Sequence, residues 1–299
     1  MEPQKRIRFA SDPEDFIRQA IARFVRESSS NRRKVDGGRY FGAPLIGFAS
    51  GDDPLFKQYK RIIGRFHLAP REIFDLTFGK SEDARALSVI SWVLPISEDT
   101  RKANRDQKRF PALLWSHTRF FGEPFNEKLR DHVVAELTRR GYRAVAPARS
   151  PHFVHHTHKP RVGFTSNFSE RHAAYVSGLG TFGLCDGLIT PRGKAGRLGC
   201  VVTDLVLSPS DRPYDDPNAH CLYHFNGSCR ACEARCPAGA ITREGHDKDK
   251  CYDFMHNTSS PAKNSEYGVD ITGCGLCQTK VPCEYEIPKV IQKHRRSEG

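Results

Sequence analysis

The stretch C-R-A-C-E-A-R-C-P, Cys229 to Pro237, and its companion C-G-L-C-Q-T-K-V-P-C, Cys274 to Cys283, decide how the last third of this 299-residue chain folds. With Cys221 and Cys251 they bring eight thiols into that region: Cys221, Cys229, Cys232, Cys236, Cys251, Cys274, Cys277 and Cys283. Eight thiolates are the number that holds two [4Fe–4S] clusters at four apiece. The chemistry this predicts is electron transfer, and with it an iron–sulfur oxidoreductase.

Spacing supports that count. Chains that bind two such clusters use C-x2-C-x2-C-x3-C-P, with the fourth cysteine crossing to the other cluster. Cys229, Cys232, Cys236 and Pro237 match the last three cysteines and the proline. The first position falls on Asn226, so Cys221 substitutes through a longer loop. In the second group Val281-Pro282 stands where a Cys-Pro pair belongs, and Cys283 follows at once. The crossing rule then predicts one cluster on Cys221, Cys229, Cys232 and Cys283, and another on Cys236, Cys251, Cys274 and Cys277. Two other readings stay open. Zinc uses paired C-x2-C units, but here 41 residues separate them, against about 15–20 in a ribbon, and zinc gives no reason for the C-x3-C-P step. Disulfides need an oxidising compartment. Cys185 and Cys200 are expected to be small buried thiols.

Composition sets the frame. The length fits one large or two medium domains, and 38% hydrophobic residues suffice for a core. No apolar run approaches the roughly 18 residues of a membrane span. The N-terminal M-E-P-Q-K-R-I-R-F-A-S-D-P-E-D-F has no leader-like apolar stretch. Arg32-Arg33 is followed by K-V-D-G-G rather than by an apolar run. A cytoplasmic location, with no membrane partner, is the expectation. The net charge of +12 favours an anionic partner: an acidic electron donor such as flavodoxin or ferredoxin, RNA, or a phosphate-bearing cofactor. Basic residues concentrate mildly at 32–39 and 289–296, without the interleaved aromatics of a single-strand binding surface.

Periodicity predicts helices over 12–26 (Asp12 cap, Pro13, apolar stripe Phe16 to Val25) and over 126–140, the latter stopped by Gly141. Strands are expected at 44–49, 86–94, 142–146 and 200–207, with 86–94 buried on both faces. Residues 171–177 read as helix and 208–219 as a linker. The fold class is therefore α+β, with an α/β domain over 1–207 and a small cluster-bearing domain over 208–299.

Gly178-Leu-Gly180-Thr-Phe-Gly183 matches G-x-G-x-x-G, yet a helical stretch precedes it where a dinucleotide fingerprint needs a strand. A tight turn with close backbone approach is the simpler reading. The longer run from Ser169 to Gly193, followed by Thr203-Asp204-Leu205 and then the cysteines, resembles the epoxyqueuosine reductase and reductive dehalogenase superfamily over residues 160–288. The resemblance implies a nitroreductase-like domain that binds cobalamin, followed by a ferredoxin-like domain with two [4Fe–4S] clusters, and the same cysteine pairing with Cys251 as the isolated ligand. It places Gly178, Leu179, Gly180 and Gly183 in a turn against the corrin, with Leu188, Ile189 and Thr190 continuing the wall. The chain departs from the family at Phe164, six residues before Glu170, where epoxyqueuosine reductases carry a proton-donating Asp. It also stops soon after the last cysteine, without their helical-repeat region, and has no twin-arginine export signal. A divergent member is expected, with a small-molecule or tRNA-linked substrate. Glu170, His172 and Tyr175 are the candidate proton donors, Arg171 sitting one turn before Tyr175 and poised to lower its pKa. The histidines of P-H-F-V-H-H-T-H (His152, His155, His156, His158) read as a solvated loop. The alternatives to a cobalamin-dependent reductase are a corrin-free electron carrier or reductive activator of a corrinoid protein, and a tRNA-modifying epoxyqueuosine reductase proper.

Overall fold

A computed structural model describes residues 6, 7, 9, 12–80 and 86–298; most of the N-terminal stretch expected to carry no leader lies outside them. Helix α1 (Pro13–Glu27) starts where Asp12 accepts the N–H groups of Glu14 and Asp15, and it buries Ile17, Ala20, Ile21 and Val25 along one stripe. Strand β1 (Leu45–Ser50) leads through α2 (Pro54–Ile62) and α3 (Pro70–Phe78) to β2 (Ser88–Pro95). Then come α4 (Glu98–Arg105), α5 (Leu113–Phe120), α6 (Gly122–Thr138) and β3 (Ala144–Val145). A hairpin of β4 (His155–Lys159) and β5 (Gly163–Ser166) precedes α7 (Glu170–Val176), the short pair β6 (Thr181–Phe182) and β7 (Leu188–Ile189), and β8 (Gly196–Thr203).

The central sheet has the order β1-β2-β8-β3, with every neighbour antiparallel. Strand β2 is its hub: Ile90 faces Phe48 on one side and Val201 on the other. Side chains alternate across a strand. Ile90, Trp92 and Leu94 therefore enter the core under α1 and α6, while Val89 and Val93 enter the one under α2, α3 and α7. A strand covered on both faces reads as a continuous apolar run, and S-V-I-S-W-V-L-P does so.

The expected helix and strand boundaries shift for local reasons. Helix α6 begins at Gly122 rather than 126 because it runs on from α5 with Phe121 between them. Gly141 follows it at φ +81°. Strand β8 starts at Gly196 and ends at Thr203, where the Asp204 carboxylate turns to take Arg6 and Arg143. The 208–219 segment is pinned rather than free: Ser210 exchanges hydrogen bonds with Phe48, Arg212 pairs with Asp53, and Phe182 N–H donates to Pro217 O.

The cysteine-bearing region is a string of short elements: α8 (Leu222–Asn226), α9 (Ala231–Ala234), the ribbon β9 (Ile241–Thr242) and β10 (Gly245–His246), α10 (Lys248–Phe254), a π-helical turn over Met255–Ser259, α11 (Ser260–Tyr267) and α12 (Lys289–Glu298). It clasps the rest of the chain. Lys194 and Ala195 donate backbone N–H groups to Cys283 O and Glu284 O. The buried Glu284 carboxylate takes Arg101 and Arg105 of α4 and the N–H of Lys280. Arg235 caps the carbonyls of Asn104, Arg105, Gln107 and Leu276. Among the described residues no helix is long and apolar enough to cross a membrane.

Candidate functional site

All ten cysteines are free thiols. The short elements distribute eight of them between two cavities. A small one is lined by Cys221, Cys229, Cys232 and Cys283, with Gly183, Ile189 and Lys194 completing its wall. A second, of about 320 Å³, is lined by Cys236, Cys251, Cys274 and Cys277, with Cys185 also on its wall. Local chemistry explains the placement. Cys229 and Cys232 bracket the start of α9, and Cys236 opens a turn in which its sulfur accepts the N–H of Ala240 at 3.3 Å. Between Cys274 and Cys277 the chain turns at Gly275 with φ +60°, and the position lies flat on the Trp115 indole: a Cβ there would fall 2.0 Å from the ring. Cys251 rides on α10, one turn after its Asp247 cap.

Among the described residues no three His, Cys, Asp or Glu side chains close on a single point. Structural zinc needs four ligands on one ion. An iron–sulfur cube binds each thiolate at a different corner and so takes a wider set. Burial pushes Cys274 up to about 12 and Cys283 up to about 11, so a metal bound there would have to expel their protons.

The ninth thiol, Cys185, had no assigned partner in the sequence. It lies between the two quartets, within reach of Cys232 and Cys277, and accepts a 3.1 Å hydrogen bond from the buried ammonium of Lys194. Hydrogen bonds from Cys232 and Cys277 hold its thiol well below the ordinary range. Nothing in P-R-G-K marks Lys194 for this position; a nine-residue loop brings it there.

A main cavity of about 640 Å³ adjoins the second one. The two share Phe164, Arg171, Gly187, Arg197, His246 and Cys251. Phe164 is stacked between His155 (5.6 Å) and Tyr252 (4.7 Å), and Tyr252 continues onto His256 (4.0 Å). The histidine-rich stretch is thus largely the β4 strand of this wall, with His156 against Phe66 and His158 beside Asp249. Asp186 pairs with Lys248 at 3.4 Å and His246 at 3.5 Å. Burial works against the His246 charge, but Asp186 and Cys251 outweigh it and raise the imidazole to about 9.

The far wall is an ionic clamp. Arg130 of α6 forks onto both Glu170 oxygens at 2.8 and 2.7 Å, reaches Glu123 at 2.9 Å and donates to Leu198 O at 3.1 Å. Glu123 also takes Arg197. Burial opposes the Glu123 charge, yet Arg197 and Arg130 draw it down to about 2. The neighbouring Arg197 charge, then burial, lowers Arg119 to about 10.

The three candidate proton donors share α7 but not a role. Glu170 lines the cavity, locked to Arg130 and accepting the N–H of Cys200 at 3.2 Å; burial raises its carboxyl against those partners. His172 also lines it, edge-on to Tyr59 and with Nδ1 2.7 Å from Ser169 Oγ. Burial lowers its imidazole to about 3, so at neutral pH it has no proton to give as a cation. Tyr175 packs on Phe182 and Tyr214 behind the wall. Burial raises its phenol, so the lowering by Arg171 expected from their helical spacing does not occur.

The glycine run forms the tight turn. Its close neighbours are the chain's own backbone: a Cβ on Gly178 would lie 2.1 Å from Asp211 O, and one on Gly180 2.4 Å from Ile189 O. Gly180 N–H donates to Tyr214 Oη at 3.0 Å. Leu179 is buried next to Gly47, Thr190 closes a turn onto Gly193 O at 2.8 Å, and Gly183 and Ile189 face the first cysteine cavity. Of the seven residues expected to wall a corrin, Leu188 is the one on the main cavity.

The site defined by these features is two thiol quartets beside a cation-lined cavity. No family model and no curated protein matches the chain. Solved structures do. An epoxyqueuosine reductase from Bacillus subtilis is 21% identical over 80% of this chain and 61% of that one, with a TM-score of 0.47. The enzyme of the same name from Streptococcus thermophilus is 17% identical over 80% and 62%, with a TM-score of 0.43. A reductive dehalogenase described for B12-dependent dehalogenation is 17% identical over 70% and 27%, with a TM-score of 0.47. Epoxyqueuosine reductases and reductive dehalogenases are thus among the solved structures this chain is similar to. The chain spans about three fifths of the length of the epoxyqueuosine reductases it matches.

Proposed function

We propose that the protein is an iron–sulfur reductase. Two [4Fe–4S] clusters would be held by Cys221, Cys229, Cys232 and Cys283 and by Cys236, Cys251, Cys274 and Cys277, and would pass electrons into the main cavity. One observation carries this reading: the eight C-terminal thiols divide four and four between two cavities, the second of which Cys185 also lines, and Cys251 of the second set also borders the main one.

A corrinoid is the cofactor proposed for the main cavity. Its lining suits a large amphipathic ligand, with an apolar platform of Phe182, Leu188 and Leu198 and a cation at Lys248. Those residues would hold it, from the Leu188 side of the glycine turn. When bound, such a group supplies a reducible cobalt. The chain's own contribution is to fix the cavity shape through the Arg130 clamp, to shield it with the Phe164 stack, and to keep a proton on His246 at its edge. An acidic electron donor would approach the shallow groove of Arg101, Arg105, Lys280 and Tyr285, where Val281-Pro282 leads to Cys283.

Anaerobic purification followed by iron, sulfide and zinc analysis tests the clusters. Cys232→Ala and Cys274→Ala should each keep about half of the wild-type iron and sulfide. Zinc without sulfide sinks the reading. Cobalamin titration then separates a reductase from a corrin-free carrier, which would show cluster absorbance and no uptake.

A further inference from the structure

The cations around the two joined cavities are not all used. Arg130 is committed to Glu170 and Glu123, Arg197 to Glu123, Lys248 to Asp186 and Lys194 to Cys185. Arg119 and Arg171 remain. Neither makes a hydrogen bond or an ion pair among the described residues. Arg171 Nε is fully buried with no acceptor. A buried guanidinium donor without an acceptor is destabilising, and a bound ion or ligand is one way such a group finds its acceptor. Arg171 lines both cavities and Arg119 the second, and Phe164, its faces stacked on His155 and Tyr252, lines both beside them.

We infer that the junction of the two cavities binds an oxyanion of the substrate, a carboxylate or phosphate received by Arg171 and Arg119, with the edge of the Phe164 ring beside it to contact an apolar group. This deepens the reductase reading and rests on the main cavity being its reaction site. Guanidinium matches an oxyanion through paired N–H donors, while the aromatic edge favours an apolar body. A neutral substrate would leave both arginines unsatisfied.

Isothermal titration calorimetry on the anaerobically purified full chain tests this with benzoate, its neutral isostere benzamide, and inorganic phosphate. Benzoate should bind at least about tenfold more tightly than benzamide, and Arg171→Met and Arg119→Met should each weaken it by about tenfold or more. Arg139→Met, at the exposed C-terminal cap of α6, should bind as wild type. Phosphate displacing benzoate assigns the site to phosphoryl groups, and failure to displace it assigns the site to carboxylates. Equal binding of benzoate and benzamide, or both cavity variants binding as wild type, overturns the inference. If Arg171 and Arg119 only balance the charge of a cluster, the variants lose iron while benzoate affinity does not follow. Iron and sulfide measured on each sample keep the two readings apart: full iron without anion binding sinks this inference alone, and anion binding without iron sinks the reductase reading alone.

Discussion

Replacing Arg130 by Met should cost more stability than any single surface change in this chain. The Arg130 side chain is 3% exposed, and it ties α6 to α7 through Glu170, to Glu123 in the first turn of α6, and to β8 through Leu198 O. Its removal strands two carboxylates whose side chains are only 16% and 22% exposed. Breaking a buried pair from one side costs about 3–5 kcal/mol. Because both acids keep some contact with water and Glu123 retains Arg197, the lower figure, about 3 kcal/mol, applies. Urea denaturation at pH 7, on samples of matched iron content, reads the loss. Arg130→Met combined with Glu170→Gln should recover part of it, giving a coupling of about 1 kcal/mol or more. The pH profile carries the same information. Glu123 titrates near 2 in the folded protein, against an ordinary 4.5. Its stabilisation is therefore complete above about pH 4.5 and is lost as the pH falls toward 2. Arg130→Met should flatten that acid limb. A loss below about 1 kcal/mol, with an unchanged limb, would mean that the clamp is a solvated surface pair.

Other expectations follow from single contacts. Gly275→Ala places a methyl against the Trp115 indole at a positive φ and should cost about 2–4 kcal/mol from overpacking and backbone strain; iron analysis should show the second quartet emptied, and wild-type iron and melting would refute the packing argument. Lys194→Met removes a buried positive charge beside Cys185 and should lower a cluster potential by on the order of 60 mV, the one-electron equivalent of a tenfold change; a spectroscopic redox titration with unchanged potentials rules this out. Burial draws His172 to about 3 and His67 to about 4, and His67 Nε2 accepts the Ser169 N–H. Both must stay neutral in the fold, so stability should decline as the pH drops below about 6.5. His67→Gln should shallow the decline between pH 6.5 and 4, and a wild-type slope in that variant argues against the assignment.

The sequence showed those elements whose signal is local. Helix α1 was visible because Asp12, Pro13 and its apolar stripe fall within fifteen residues, and β2 because an unbroken apolar run admits few other placements. Helices α2 to α5 were not visible. Helix α4, E-D-T-R-K-A-N-R, has no apolar stripe and is held through Arg101, Arg105 and Asn104 by a region 170 residues further on. The cysteine spacing is a local signal, and the thiols it groups line the same two cavities. The ionic clamp could not, since Arg130 and Glu170 lie 40 residues apart and meet only through the packing of α6 on β8. The proton-donor candidates show the limit most clearly: one helix carries Glu170, His172 and Tyr175, and burial then clamps, neutralises or hides each in turn.

The backbone bonds from Lys194 and Ala195 to Cys283 and Glu284 stitch the last cysteine of the first quartet onto the residues that lead into β8. Two residues later that strand supplies Gly196, Arg197 and Leu198 to the main cavity. If the first quartet takes up a cluster as proposed, maturation and ligand affinity are coupled: protein isolated before metallation would have no mineral anchor at that seam, and assays on aerobically handled material would report a weakened pocket.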